Sequence, residues 1–196
     1  RCQDQRQEPG PHHCVRVAPT PVARLGRTMS TPTILFVCLG NICRSPIAEA
    51  VIRHRVEVAG LTDVVVVDSA GTGDWHLGYG ADPRSLSTIA ANAYALDGHT
   101  ARQITPEWFT DLDLVLAMDS TNYRNLMVMA AQSGGQPDLH MLRSFDPALA
   151  HVVAPDPELD VPDPYYGGDD GFADVLAMIE QAADGLITQL PARLSR

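Results

Sequence analysis

The 196-residue chain contains no lysine, so all 14 of its permanent cations are arginines. That absence removes the loop in which a lysine reaches the phosphates of a bound nucleoside triphosphate. The glycines also lack the spacing of a dinucleotide-binding turn. Positive charge is scarce altogether: the formal net charge is −10, and neutralising a nucleic-acid backbone needs a basic face. No apolar run approaches the roughly 18 residues of a membrane span, and the N-terminus has no apolar h-region. The expectation is a cytoplasmic protein without nucleic-acid or membrane partners. Cysteine is sparse: Cys2 and Cys14 lie near the start, Cys38 and Cys43 share one short stretch, and none follows. This is not the framework of a disulfide-stapled secreted domain. The histidines show no metal-ligand spacing, and His12-His13-Cys14 has no second ligand pair, so neither metal nor other cofactor is expected.

What is present suits one soluble domain, with 45% hydrophobic and 19% charged residues. Residues 1–28 carry Gln, His, Arg and Pro without apolar periodicity and read as a flexible extension, leaving 29–196 as the domain. Apolar strands are expected at Thr33–Val37, Val64–Val67, Leu112–Met118 and Leu139–Leu142. Helices are expected at Ser45–Val58, Pro83–Ala95, Ser120–Gln132 and Gly171–Leu190, the last stopped by Pro191. The first should turn Ile47, Ala50, Val51, His54 and Val58 inward. Alternating apolar strands and amphipathic helices specify an α/β three-layer sandwich, a four-stranded parallel sheet with helices on both faces. Reactive groups in such sheets gather beyond the carboxyl ends of the strands.

One such end carries the most informative stretch, "FVCLGNICRSPIAEA", from Phe36 to Ala50. Cys38 closes a strand, and Ser45-Pro46 reads as an N-cap followed by proline at the first helical position. Between them, Gly40 and Asn41 are the residue types that most readily take positive φ, so the loop can curl with its N–H groups inward. Leu39, Gly40, Asn41, Ile42, Cys43, Arg44 and Ser45 would then surround a bound anion, with the helix dipole behind it and the planar fork of Arg44 beside it. A thiol in that field ionises readily. Cys38 is therefore the candidate nucleophile, with Ser45 donating its hydroxyl to the thiolate. Curling also brings Cys43 within disulfide range of Cys38. Reversible Cys38–Cys43 bond formation is expected to shield the nucleophile from over-oxidation.

"VCLGNICRSPIAEA" together with "DPYYGG" resembles the low-molecular-weight protein tyrosine phosphatases, and "SAGTGDWH" and "MLRSFDP" are most like actinobacterial members. The resemblance spans Thr33 to Leu190. It implies a hydrolase acting on phosphotyrosine proteins or small aryl phosphates through a phosphocysteine. Four Asp-Pro pairs, at Asp82, Asp146, Asp156 and Asp163, are equivalent on sequence grounds as turn formers. The resemblance selects Asp163 as general acid and base. Its acidic surroundings, Asp156, Glu158, Asp160, Asp169 and Asp170, would then help it keep its proton. By the same likeness Trp75, Tyr165 and Tyr166 are pocket walls, and Asn41, Ser69 and His99 hold the loop in shape. Asp119, at another strand end, reads as a helix cap. The expected state is a monomer or weak dimer. An arsenate reductase on the same scaffold would need cysteines after Cys43. A silent phosphotyrosine-binding module would need neither Cys38 nor Asp163.

Overall fold

Alternation within one short strand sets both faces of the sheet. In β1 (Thr33–Cys38) the side chains of Ile34, Phe36 and Cys38 point one way and those of Leu35 and Val37 the other. All five are at most 2% exposed, so the strand is covered on both sides. The computed structural model describes residues 31–134, 138–168 and 170–194. The proposed N-terminal extension, residues 1–28, lies outside them.

Three further strands, β2 (Val66–Gly71), β3 (Leu114–Ala117) and β4 (Asp138–Met141), join β1 in the order β2-β1-β3-β4, all parallel. Pairings such as Cys38↔Gly71 and Val37↔Ala117 bring the carboxyl ends to one edge. The chain steps to one side of β1 for β2 and to the other for β3, and the cleft at that reversal is where open α/β sheets bind ligands. Helices α1 (Arg44–Val58), α2 (Pro83–Ala91) and α4 (Asp170–Leu194) cover one face. There Phe36, Leu116, Ile47, Val51, Phe172 and Ile179 form a continuous core. Helix α3 (Ser120–Ser133) covers the other face, packing Leu126 and Ala130 on Leu35, Val37 and Val115. Each large apolar side chain so buried contributes about 1.5–3 kcal/mol. The three-layer architecture is the one expected.

The structure departs from the sequence reading in several places. The strand expected at Leu112–Met118 is only Leu114–Ala117, the stretch that pairs with β1, and the one expected at Leu139–Leu142 runs Asp138–Met141, in register with β3. The run Val64–Val67 suggests a strand, yet β2 starts at Val66 and takes in Asp68 and Ser69; its register is fixed by pairing with β1, and Val66 on this edge strand and Val64 before it are exposed. Helix α2 ends at Ala91 rather than Ala95, because Asn92 leaves helical geometry and Ala93 takes φ +60°. Val58 is the final residue of α1 and lies exposed rather than inward. Helix α4 continues through Pro191 to Leu194. Proline forfeits one hydrogen bond there, but Leu190 is fully buried and Arg193 binds Asp138 beneath it, which holds the last turn.

Candidate active site

The loop between β1 and α1 is built from the outside. The carbonyls of Cys38, Leu39 and Ile42 accept bonds from the backbone N–H groups of Thr72 (2.9 Å), Gly73 (2.8 Å) and Asp82 (2.8 Å). That of Asn41 accepts from Nε2 of His99 at 2.8 Å. Because a trans peptide points its C=O and the following N–H in opposite directions, these outward carbonyls turn the amides of Leu39, Gly40, Ile42 and Cys43 inward. Asn41 provides the curl at φ 55°. Gly40 does not take positive φ; it is needed because a Cβ there would lie 2.9 Å from the His76 ring. Helix α1 begins at Arg44, one residue earlier than expected, and Cys43 at the N-cap offers no side-chain bond. Ser45 and Pro46 thus lie inside the first turn. The hydroxyl of Ser45 serves the site instead of the helix end.

That hydroxyl lies 3.1 Å from Cys38 Sγ, and Asn41 N–H donates to the same sulfur at 3.3 Å. Asn41 Nδ2 reaches both Ser45 Oγ and Ser69 Oγ at 2.9 Å, while its Oδ1 accepts from Arg102 N–H at 2.9 Å. Ser69 in turn donates to Glu49 Oε2 at 2.5 Å. Since a carbonyl only accepts, His99 carries its proton on Nε2, leaving Nδ1 3.7 Å from Glu49. The expected set Asn41, Ser45, Ser69 and His99 is one network centred on Asn41, and Glu49 backs it through Ser69. Burial works against the Glu49 carboxylate, but the nearby His99 ring, the hydrogen bond from Ser69 and the charge of Arg53 outweigh it and hold its pKa below the ordinary range. Sequence reasoning missed Glu49. A carboxylate set among the apolar residues of "PIAEAVI" was the available signal.

Arg44 is buried at the centre of the site and grips two carboxylates: Nη1 donates to Asp119 at 2.7 Å and Nη2 to Asp163 at 2.9 Å. Burial alone would pull its pKa down, but Cys38, Asp163 and Asp119 around it push it up. Its Nε is buried without a hydrogen-bond partner. Asp119 does cap α3, accepting from Asn122 N–H at 2.6 Å, and also steers Arg44, a role the sequence did not reveal. Of the acidic neighbours expected around Asp163, Asp156 accepts from Glu158 N–H and Asp160 from Ser120 N–H. The charge Asp163 meets is that of Arg44, while Asp169 lies outside the described residues.

These groups open into a cavity of about 300 Å³ with Cys38 and Arg44 in its lining. Trp75, Tyr165 and Tyr166 wall it as expected, and His76, which sequence reasoning missed, joins them. The Trp75 ring lies so close over Gly73 that a Cβ there would fall 1.9 Å from it. The His76 ring packs on Gly40 and stands 6.1 Å from that of Tyr165. Cys43 also borders the cavity as a buried free thiol whose pKa is pushed up to about 12, chiefly by burial and then by Asp82 and Cys38. Among the described residues no three His, Cys, Asp or Glu side chains gather as a metal site requires. Chemically, the arrangement offers a sulfur nucleophile, a preformed anion cradle and a carboxyl group at the entrance.

The chain is similar to known proteins in sequence and in fold. A model of the family described as low molecular weight phosphotyrosine protein phosphatase matches residues 33–196. A low molecular weight protein-tyrosine-phosphatase of Streptomyces coelicolor is 52% identical over 157 residues, covering 80% of this chain and 92% of its own length. The crystal structure of YfkJ from Bacillus subtilis aligns with a TM-score of 0.72 at 34% identity, over 85% of this chain and 98% of that one. A Drosophila arginine phosphatase aligns with a TM-score of 0.71 at 30% identity, over 80% of this chain and 96% of that one.

Proposed function

The chain belongs to the low molecular weight phosphotyrosine protein phosphatase family, and on that premise we propose which of its residues perform the hydrolysis. Cys38 Sγ attacks phosphorus in line, forming the S–P bond as the P–O bond to the aryl group breaks. Asp163 gives its proton to the departing phenolic oxygen. A water molecule then attacks the phosphocysteine, Asp163 takes its proton, and the S–P bond breaks to return the thiolate and inorganic phosphate. Arg44 exchanges its contact with Asp163 for phosphate oxygens, presenting Nη2 and the unpartnered Nε as a fork. The inward amides of Leu39, Gly40, Ile42 and Cys43 hold the remaining negative charge, which concentrates most in the transition state. Ser45 and the Asn41 amide stabilise sulfur as it leaves.

The observation that carries this reading is the ring of outward-bonded carbonyls around Cys38, because it leaves a set of buried donors with a nucleophile at their centre. Aromatic walls suit a flat aryl phosphate, so phosphotyrosine proteins or small aryl phosphates are the substrates. Two free buried thiols beside one another fit a reducing cytoplasm. Among the described residues no helix is long and apolar enough to cross a membrane. The chain acts as a monomer or weak dimer without a cofactor.

The deciding experiment compares a phosphotyrosine peptide, p-nitrophenyl phosphate and a phosphoarginine peptide as substrates, with and without EDTA. Hydrolysis of the first two, unaffected by chelation and abolished in Cys38→Ser, is expected. Preference for phosphoarginine would overturn the substrate assignment, since a related fold carries an arginine phosphatase. Full turnover by Cys38→Ser would overturn the mechanism.

A further inference from the structure

The segment Asp163–Gly167 carries the proposed acid, yet little holds it. Two of its hydrogen bonds are internal, Tyr165 N–H to Asp163 Oδ1 at 3.2 Å and Gly167 N–H to the Pro164 carbonyl at 3.0 Å. Two arginines tie it to the rest of the molecule. One is Arg44, through Asp163. The other is Arg84, near the start of α2, whose Nη2 donates to the Tyr165 carbonyl at 3.2 Å and whose Nη1 donates to the Gly167 carbonyl at 3.4 Å.

Arg84 is itself well anchored. Its Nε and Nη2 bind the two oxygens of Asp82 at 3.0 and 2.9 Å, a planar fork meeting a planar carboxylate. The same carboxylate caps α2 through Arg84 N–H at 2.8 Å. The guanidinium lies over Phe172, 4.7 Å from the ring centroid, and 5.7 Å from that of Tyr165. Asp82 N–H donates to the Ile42 carbonyl in the phosphate loop. A continuous polar chain therefore runs from the cradle through Asp82 and Arg84 to the backbone that carries Asp163 and Tyr165.

We propose that Arg84 is a positioning residue that keeps the acid-bearing segment in register with the cradle while substrate is bound. This rests on the mechanism proposed above. When a phosphate dianion enters, Arg44 turns to its oxygens and Asp163 must face the leaving oxygen, so the Arg44–Asp163 ion pair lapses at the moment of proton transfer. The bonds from Arg84 do not involve Asp163's carboxyl group and persist. They are made to backbone carbonyls, so they fix where Asp163 is carried without competing for its proton. Arg84 touches neither phosphate nor phenol, and acts only through Asp163 and Tyr165.

The test is kcat/KM for a series of aryl phosphates running from dinitrophenyl through p-nitrophenyl to phenyl, because kcat/KM reports events up to the first phosphoryl transfer. Acidic phenols leave with little help from a proton, and phenol itself needs one. Arg84→Ala should lower kcat/KM for phenyl phosphate between about ten- and a hundredfold and leave the dinitrophenyl ester within about threefold of wild type. Arg84→Lys keeps the charge but not the fork and should fall between. Orthovanadate affinity, read on the same variants, should be unchanged, showing an intact cradle. Combined with Asp163→Ala, Arg84→Ala should add nothing further, as expected of two residues acting through one proton. A loss equal for every leaving group, a loss of orthovanadate binding, or an additive double variant would overturn the inference about Arg84 alone. Wild-type protein that hydrolyses none of the esters would instead overturn the mechanism on which it rests.

Discussion

Two loops meet over Cys38, and their construction is opposite. The loop from Cys38 to Ser45 is largely buried, and the carbonyls of Cys38, Leu39, Asn41 and Ile42, the Asn41 side chain and the Ser45 hydroxyl are bonded to surrounding elements. The loop from Asp163 to Gly167 is exposed apart from Pro164, with Tyr166 93% accessible, and two arginines tie it to the body. The first loop has to present donors at fixed points before any substrate arrives, because donors that reorganise during the reaction forfeit most of their electrostatic advantage. The second has to admit a substrate, deliver a proton and release a phenol, which calls for a segment of low local stability. Phosphate binding is built into the fold, whereas proton delivery is hung from it.

The sharpest separation of the two loops comes from the nucleophile. Cys38→Ser should lower kcat by at least roughly 10⁴-fold, the scale on which loss of a nucleophile acts, while orthovanadate and phosphate still bind in a prebuilt cradle. Calorimetry on that variant checks the second half; lost oxyanion binding would mean that the sulfur organises the cradle. Next in size, Asp163→Ala should reduce kcat/KM for phenyl phosphate by about 10²–10⁴-fold, the range of general-acid catalysis, with a much smaller loss for a dinitrophenyl ester. Equal losses for both esters would place Asp163 in binding rather than in proton transfer.

Asn41→Ala attacks the fixed loop from behind. It removes the donors to Ser45 and Ser69 and the acceptor for Arg102 N–H, and leaves a residue less tolerant of φ 55° in its place. Activity should drop together with thermal stability, the latter by about 1–3 kcal/mol. Calorimetric unfolding checks this, and a fall in activity without any fall in melting temperature would contradict a purely architectural role. A smaller effect is expected at Cys43. Peroxide converts the Cys38 thiolate to a sulfenic acid, which the neighbouring Cys43 thiol can condense with, releasing water and forming a Cys38–Cys43 disulfide. Dithiothreitol should restore most activity to the oxidised wild type but not to Cys43→Ser, with mass spectrometry of the linked peptide as the check.

The same contrast governs what the sequence could reveal. The strand, the curl at Asn41, the helix start and the thiol are demands met within thirteen residues, from Thr33 to Ser45, so their chemistry is written locally. Residues that act across the fold are not. Glu49, Asp119 and Arg84 acquire their roles from partners 20, 75 and 81 positions away, and no spacing rule connects them. Asp163 could be singled out among four Asp-Pro pairs only through family resemblance. Even local rules gave way where tertiary contacts outweighed them. Ser45 leaves the cap position for the sulfur, β2 takes its register from β1 rather than from its valines, and α4 passes through Pro191 because Leu190 and Arg193 hold its end.

The smallest effect expected is also the one with a distinctive pH signature. Glu49 is 4% exposed and anchors Ser69 and His99 behind the fixed loop. Because the neighbouring His99, the Ser69 hydrogen bond and Arg53 hold its folded pKa below the ordinary value despite burial, its carboxylate stabilises the native state at every pH above the unfolded value of about 4.3. That contribution fades as pH falls through the lower folded value. Glu49→Gln should therefore unfold more readily than wild type by about 1–3 kcal/mol at neutral pH, and the gap should close as the solution is acidified below about 4.3. Melting temperatures of both proteins across that range provide the measurement. A gap that stays constant down to the acid limit would mean that packing of the side chain matters and its charge does not. A gap that closes as described, with kcat for the phosphotyrosine peptide reduced only severalfold at neutral pH, would show the fixed loop held from behind by a charged group that takes no part in the chemistry.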